Sequence, residues 1–193
     1  MAETPSTMLP LGTLVPKFQL KDVVSGAQVT EGDFAGRTAL LVMFICNHCP
    51  FVKHVMEELG RLGADYLSED VGIVAINSND VRLYPQDGPD RMRELAIREG
   101  WEFPFLLDEE QEVAKAFRAA CTPDFFLFGV DGRLAYRGQL DDSRPGNGRP
   151  VTGRDLRAAL DAVIEGRAVP EPQVPSVGCN IKWKPGNAPY YYG

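Results

Sequence analysis

The apolar run TALLVMFI, residues 38 to 45, is the feature that most constrains the fold of this chain. A continuous apolar stretch of this length is typical of a central strand that is buried on both faces of a sheet. Residues 50 to 67 then carry apolar side chains at helical spacing, and a second buried run, VGIVAIN, follows at 71 to 77. A buried strand, a helix and another buried strand predict an α/β fold.

The remaining segments extend this alternation in both directions. A hairpin turning at Ser25 and Gly26, followed by a brief helical turn, precedes the first buried run. Two further helices and a short strand follow the second run, and then a hairpin turning at Asp131 and Gly132 and a last helix ending near Gly166. The order β-β-β-α-β-α-β-α-β-β-α predicts a mixed central β-sheet flanked by helices.

The C-terminal segment, residues 167 to 193, has a different composition from the rest of the chain. It is rich in proline and glycine and shows no period, which is typical of a tail and not of a second domain. Because it also carries a cysteine, a tryptophan and three tyrosines, we expect part of it to pack on the body.

The overall charge argues against two classes of partner. The chain has 20 basic and 27 acidic residues and a formal net charge of −7. Nucleic acids and anionic membranes are bound through lysine and arginine, so neither is the expected partner. The N-terminus lacks the pattern of a secretory signal, and no apolar run approaches the roughly 20 residues of a membrane span. We therefore predict a cytoplasmic protein.

The motif CNHCP places Cys46 directly after the first buried run and Cys49 directly before a helix. Reactive groups gather at the carboxyl edge of such sheets, and the N-terminus of a helix stabilises a thiolate and lowers its pKa. Pro50 is tolerated in the first helical turn. In a reducing compartment this pair is suited to thiol–disulfide exchange, in which one sulfur attacks and the other resolves the mixed disulfide.

Two other interpretations of the pair are a zinc half-site and two inert core thiols. A structural zinc site would need about two more ligands. The remaining cysteines and histidines form no second close pair of zinc-finger spacing: Cys121, Cys179, His48 and His54. Inert thiols are less expected at a strand-to-helix junction than deep in a core.

His48 lies between the two cysteines in the sequence. When protonated, an imidazole at this position would stabilise the thiolate of Cys46, and a more stable reduced form makes the disulfide a stronger oxidant. We therefore predict a reduction potential above that of a dithiol bridged by Gly-Pro. The alternative is that His48 points into solvent.

With the strand, the CNHC motif and the helix in this order, the chain resembles the redoxin branch of the thioredoxin superfamily. That branch includes the AhpC/TSA peroxiredoxins and the TlpA/ResA-like thiol–disulfide oxidoreductases. The similarity covers roughly residues 9 to 166, and the segment LGTLVPKFQLKDVVSGAQVTEGDFAGRTALLVMF is similar to the branch's N-terminal extension. The resemblance implies a thioredoxin fold with an N-terminal β-hairpin extension, a thioredoxin-like domain over 9–166 and a packed tail over 167–193.

The resemblance also implies a second part of the site. The segment CTPDFFLFGVDGRLAYRG is similar to the one that follows the superfamily's cis-proline loop. Pro123, preceded by Thr122, is then the expected cis-proline facing the cysteines, with an exposed backbone that pairs with an extended substrate segment. The alternative is an ordinary trans turn proline.

Within the branch, two chemistries compete for this chain. Peroxiredoxins carry the pattern Pro-x-x-x-Thr-x-x-Cys; with Cys49 in the last place, the earlier places hold Val42 and Cys46, so neither matches. The copper-chaperone relatives have a three-residue gap between cysteines, whereas this chain has two. The resemblance therefore favours a thiol–disulfide oxidoreductase. The alternatives are a thiol-dependent peroxidase and a binding module without catalysis in which the dithiol is vestigial or holds a metal.

The chain also departs from ordinary thioredoxins. Ile45 replaces the tryptophan before the first cysteine, and Leu40 replaces a buried acid, which leaves the proton-transfer group unassigned. Asp80, after the second buried run, is a candidate proton acceptor, although a turn or helix-cap role is an equal alternative. Cys121 and Cys179 are candidate secondary thiols that would form a relay if the tail folds over the active edge.

These observations combine into one expectation. Cys46 attacks, Cys49 resolves, His48 tunes the potential, and Thr122 with Pro123 shapes the substrate groove. The expected partners are protein or small-molecule disulfides and thiols, together with an electron-donating reductase or thiol. No cofactor and no metal are expected.

Overall fold

The computed structural model describes residues 3–192, and its architecture is a mixed sheet of seven strands with helices on both faces. The strands are β1 (Glu3–Pro5), β2 (Gln19–Asp22), β3 (Gln28–Thr30), β4 (Ala39–Phe44), β5 (Val71–Asn77), β6 (Phe105–Leu107), β7 (Cys121–Thr122), β8 (Asp124–Gly129), β9 (Leu134–Gly138) and β10 (Val177–Asn180). The helices are α1 (Pro50–Tyr66), α2 (Pro89–Arg98), α3 (Glu112–Phe117) and α4 (Arg154–Ile164). From β2 to α4 the predicted order of strands and helices is confirmed; β1, β7 and β10 were not predicted.

The main sheet runs in the order β3-β2-β6-β5-β4-β8-β9. Its centre is parallel, since β4 pairs with β5 and β5 with β6, whereas β8 and β9 add to β4 as an antiparallel hairpin. The six residues of β4 are all buried because the strand has neighbours on both sides and cores on both faces. The predicted thioredoxin-type α/β sandwich with an N-terminal hairpin is confirmed.

Side chains of β4 alternate between two apolar cores, as the period of a strand requires. Leu41 and Met43 face the core that contains α1, α2 and α4, and this core continues to Cys46 and Cys49. Leu40 and Val42 face the opposite core, which contains α3. Leu40 occupies the position that holds an acid in ordinary thioredoxins. It is apolar and packs into the core on the face of the sheet opposite α1.

Helix α1 positions the cysteine pair. Pro50 occupies its first turn and Cys49 is the N-cap residue, so the helix begins directly at the motif. Its buried side chains Val52, Val55 and Leu59 recur at the spacing of one helix face and pack into the first core. The apolar face thus fixes the N-terminus of α1 against the carboxyl end of β4.

The C-terminal tail contributes a strand to a second, three-stranded sheet. Strand β10 lies between β1 and β7 and is antiparallel to both. Farther on, the hydroxyl of Tyr191 donates to the carbonyl oxygens of Ala114 and Ala119, at 3.2 and 3.3 Å. The division at residue 166 stays a prediction, but these contacts show where the tail meets the body.

Candidate active site

Both cysteines of the motif lie at the junction of β4 and α1, where the sequence predicts them. Cys46 follows the end of β4 by two residues, and Cys49 caps α1. Their exposed fractions are 1% and 0%, so the pair is closed off from solvent in this structure. A substrate can reach the sulfurs only if a neighbouring segment moves.

The loop that contains Pro123 faces the pair. The Thr122–Pro123 peptide bond is cis, as the resemblance implies. The sulfur of Cys46 lies 3.5 Å from the Thr122 hydroxyl oxygen, and the Cys49 thiol donates to the Thr122 carbonyl oxygen at 3.1 Å. One residue of the loop therefore contacts both sulfurs, through its side chain and its backbone.

The backbone next to the cis-proline is occupied by the chain's own tail, which corrects the expectation of an exposed edge. Strand β10 pairs with β7 so that Cys179 lies opposite Thr122 and Asn180 opposite Cys121. Residues directly opposite in an antiparallel pair project to the same face of the sheet. The Cys179 side chain therefore shares the face of Thr122, and it lies in the same buried cluster as Cys46 and Cys49.

Gly178 makes this close pairing feasible. A methyl group built at Gly178 would lie 2.1 Å from the carbonyl oxygen of Thr122, a distance that no side chain tolerates. The absence of a side chain at this position lets β10 approach the cis-proline loop, so the sequence Gly178-Cys179 is suited to this location.

The two sulfurs of the pair have different contacts. The Cys49 sulfur lies 3.1 Å from the Thr122 carbonyl oxygen, which can only accept, so Cys49 is the thiol of this contact. The Cys46 sulfur lies 3.5 Å from the Thr122 hydroxyl, a group that can donate to a thiolate. Burial and the charge of Asp87 act against a thiolate at Cys46 by raising its pKa. The roles predicted from the sequence, in which Cys46 attacks and Cys49 resolves, stay a prediction.

His48 is held beside Cys46 by a buried carboxylate and does not point freely into solvent. Its Nδ1 lies 4.0 Å from the Cys46 sulfur and 2.5 Å from Oδ2 of Asp87. The imidazole also stacks on Tyr84, with ring centroids 5.5 Å apart. These contacts fix the orientation of the ring next to the first cysteine.

Asp87 is the site residue that the sequence did not reveal. Its Oδ1 accepts the backbone N–H groups of Asn47 and His48, at 2.9 and 3.2 Å, and its Oδ2 accepts the side-chain amide of Asn79 at 2.8 Å. In the sequence Asp87 precedes a Gly-Pro and a helix, where an acid resembles an ordinary cap. Its role depends on a loop that follows β5 and returns 40 residues along the chain to the motif.

Asp80, the predicted proton acceptor, has other contacts. Its Oδ1 accepts the backbone N–H of Arg82 at 3.0 Å, and its own N–H donates to the carbonyl oxygen of Lys182 at 2.8 Å. The carboxylate that acts on the Cys46 pKa is that of Asp87. The structure therefore gives Asp80 a structural role in the loop after β5 and places Asp87 at the cysteines, because the intervening turn folds back toward the motif.

Cys121 lies on the other side of the loop from the pair. It is fully buried, and its thiol donates to the Pro123 carbonyl oxygen at 3.6 Å. Burial raises its pKa, so the sulfur stays a thiol. Successive residues of a strand face opposite ways, so Cys121 and Thr122 project to opposite faces, and the tail brings Cys179 to Cys49 and not to Cys121.

One ligand atom each from Cys46, His48 and Asp87 lies within 4.8 Å of the others. A thiolate, an imidazole and a carboxylate together form a donor set that zinc accepts in proteins. This trio is the set of described residues at the motif that could hold a metal ion.

The helices within residues 3–192 include none with the length and apolar character needed to cross a bilayer.

Comparison with known sequences gives a match over most of the chain. The family described as Redoxin matches residues 10–156. The thiol-disulfide oxidoreductase ResA of Geobacillus thermodenitrificans (strain NG80-2) is 25% identical over 131 residues, which are 68% of this chain and 70% of that protein.

Solved structures share the fold over most of the chain. The crystal structure of an uncharacterized conserved protein from Geobacillus kaustophilus is 57% identical, with a TM-score of 0.95 over 96% of this chain and 98% of that one. The thioredoxin domain of a thiol-disulfide oxidoreductase from Bacteroides vulgatus is 16% identical, with a TM-score of 0.56 over 68% of this chain and 89% of that one. At that identity the likeness concerns the fold alone.

Proposed function

Because the chain belongs to the Redoxin family of the thioredoxin superfamily, we propose that it is a thiol–disulfide oxidoreductase acting through Cys46 and Cys49. The observation that carries this proposal is the position of both sulfurs against Thr122, beside a cis-proline and at the N-terminus of α1. A dithiol in which one member is a thiolate at neutral pH has the chemistry that exchange requires. The substrates are protein or small-molecule disulfides.

The reaction begins at the Cys46 thiolate, beside the Thr122 hydroxyl. It attacks one sulfur of a substrate disulfide, forming a mixed disulfide and releasing the other substrate sulfur as a thiolate. Cys49 then attacks the Cys46 sulfur, the Cys46–Cys49 disulfide forms, and the second substrate thiol leaves. Two electrons pass to the substrate, and a reductase or a small thiol restores the dithiol.

The proton on Cys46 must leave before it can attack. His48 is not the base for this step, because its Nδ1 donates to Oδ2 of Asp87 at 2.5 Å. When protonated, the ring, which lies 4.0 Å from the sulfur, instead stabilises the Cys46 thiolate that forms. Asp87 is a positioning residue here, because its carboxylate contacts the imidazole and the backbone of the motif.

The test of the proposed function is the reduction of insulin by dithiothreitol, followed by the precipitation of the insulin B chain. We expect the protein to shorten the lag and increase the rate in proportion to its concentration. No acceleration would contradict the proposal. Thiol-dependent loss of hydrogen peroxide without insulin reduction would instead support a peroxidase. Stoichiometric metal without turnover would support a metal-holding module.

Replacement of His48 by alanine is expected to lower the reduction potential of the pair. The reduced form would lose the imidazole that stabilises its negative charge, so the disulfide becomes a weaker oxidant. The measurement is the equilibrium of the Cys46–Cys49 pair with glutathione buffers of known potential. His54→Ala, which removes the chain's other histidine from α1, is the matched control. A potential that is unchanged or higher in His48→Ala alone would refute this role.

The cytoplasmic location and the identity of the electron donor remain predictions. A reductase or a low-molecular-weight thiol is the class of donor that this chemistry needs.

A further inference from the structure

Cys49 has a second cysteine near it in addition to Cys46. Cys179 lies on β10 with an exposed fraction of 2% and belongs to the same buried cluster as Cys46 and Cys49. Strand β10 also packs against α1, the helix that Cys49 caps. The tail therefore places a third thiol directly at the motif.

The position of Cys179 follows from the register of β10. Cys179 is opposite Thr122 in the pairing with β7 and opposite Glu3 in the pairing with β1, so the strand is held on both edges. Because Gly178 has no side chain, β10 can lie close to the Thr122 carbonyl, where an added methyl group would be 2.1 Å from the oxygen. A one-residue slip would turn Cys179 to the other face.

We propose that Cys179 is a third redox cysteine and that Cys49 forms alternative disulfides with Cys46 and with Cys179. This inference rests on the proposed function, which supplies the Cys46–Cys49 disulfide. Two thiols in the same buried cluster as one sulfur are competing partners for it, and the strand keeps Cys179 at a high effective concentration.

The step is an internal thiol–disulfide exchange without an external oxidant. The Cys179 thiolate attacks the Cys49 sulfur, the Cys49–Cys179 bond forms, and the Cys46–Cys49 bond breaks. Cys46 leaves as a thiolate and takes up the proton that Cys179 released, so no net electron transfer occurs. Burial and the neighbouring Cys49 raise the pKa of Cys179 to about 12 in the reduced protein. Oxidation of Cys49 removes the second of these causes.

The consequence is a covalent link between the tail and the N-terminus of α1. A Cys49–Cys179 disulfide keeps β10 on the cis-proline loop, where an extended substrate segment would pair. It also leaves Cys46 as the reduced thiol beside His48. The internal exchange with Cys179 would thus keep the substrate groove closed.

The test is disulfide mapping of the whole protein after equilibration with oxidised and reduced glutathione, acid quenching and alkylation. In Cys46→Ala we expect an intramolecular Cys49–Cys179 disulfide in most molecules. In Cys46→Ala/Cys179→Ala we expect a mixed disulfide of Cys49 with glutathione instead. If Cys46→Ala also gives mainly the glutathione adduct, or a disulfide that contains Cys121, the proposal is wrong.

A second variant tests the role of the strand with Cys179 unchanged. In the Cys46→Ala background, Gly178→Ala should lower the yield of the Cys49–Cys179 disulfide severalfold, because the methyl group forces β10 away from Thr122. Gly60→Ala, where the added methyl meets its nearest neighbour at an ordinary 3.7 Å, is the matched control and should leave the yield unchanged. An equal yield in both would overturn the proposal.

Disulfide mapping and insulin reduction with the wild-type protein distinguish a failure of this inference from a failure of the proposed function. A Cys46–Cys49 disulfide and insulin reduction, without a Cys49–Cys179 disulfide in Cys46→Ala, would reject the third cysteine alone. Absence of both the Cys46–Cys49 disulfide and insulin reduction would reject the proposed function.

Discussion

Cys49→Ser is expected to reduce insulin turnover to the rate given by dithiothreitol alone. Cys49 is the sulfur common to both proposed disulfides, and a serine hydroxyl can form neither. Cys46→Ser should keep a residual rate that depends on Cys179, and the double variant should lose it. The measurement is the initial rate of insulin precipitation at equal concentrations of folded protein.

The matched control for these variants is Cys121→Ser. Cys121 is as buried as Cys49, but its thiol donates to the Pro123 carbonyl on the side of the loop away from the pair. A serine hydroxyl can make the same hydrogen bond, so the rate should be retained. Turnover that survives in Cys49→Ser would contradict the prediction that Cys49 is common to both disulfides.

Asp124 is expected to make the folded protein less stable as the pH rises from about 4 to about 7. The residue follows the cis-proline and is fully buried, and its Oδ1 has no hydrogen-bond partner among the described residues. Burial raises its pKa from the ordinary 3.8 to about 7, although hydrogen bonds from Ser6 and the backbone of Ala120 act in the opposite direction.

The sign follows from proton binding in the two states. Between these pKa values the folded protein keeps the proton on Asp124 and the unfolded chain has lost it. Stability therefore decreases as the pH rises through this window. Above the window, Asp124 causes no further change in stability. A window of about three pH units corresponds to a loss of about 4 kcal/mol in the free energy of unfolding.

Asp124→Asn removes this dependence, because the amide is neutral at every pH and keeps a carbonyl oxygen as acceptor. The measurement is the difference in unfolding free energy between variant and wild type, from urea titrations at several pH values. We expect that difference to move in favour of the variant by several kcal/mol between pH 4 and pH 8. Asp90→Asn, at an exposed site in α2, is the control. A difference that is independent of pH would contradict the prediction.

Much of the fold was predictable because its signals are local. The apolar run that became β4, the helical spacing of α1 and the turn at Asp131 and Gly132 each depend on residues close together in the chain. The motif CNHCP could likewise be placed at a strand-to-helix junction from its neighbours alone. The cis peptide bond before Pro123 could be predicted from the resemblance, because the surrounding segment carries the family's pattern.

The parts of the site that were missed depend on contacts between distant segments. Asp87 reaches the backbone of Asn47 across 40 residues, and nothing in its own neighbourhood distinguishes it from a helix cap. Asp80, which does follow a buried strand, was the more obvious candidate. The contacts of both sulfurs with Thr122 also depend on long-range geometry, because Thr122 lies 76 residues along the chain from Cys46 and 73 from Cys49.

By itself, the sequence determined the α/β sandwich, the redoxin resemblance and the place of the cysteine pair between a strand and a helix, because hydrophobic period and motif spacing are encoded within single segments. Only the tertiary structure decided that the tail becomes β10, that Cys179 lies in the same buried cluster as Cys49, and that the backbone edge beside the cis-proline is covered. The physical reason is that a short strand has too few residues to specify its partner. Its pairing is chosen by the unpaired edge of β7 and by the space that Gly178 leaves beside Thr122.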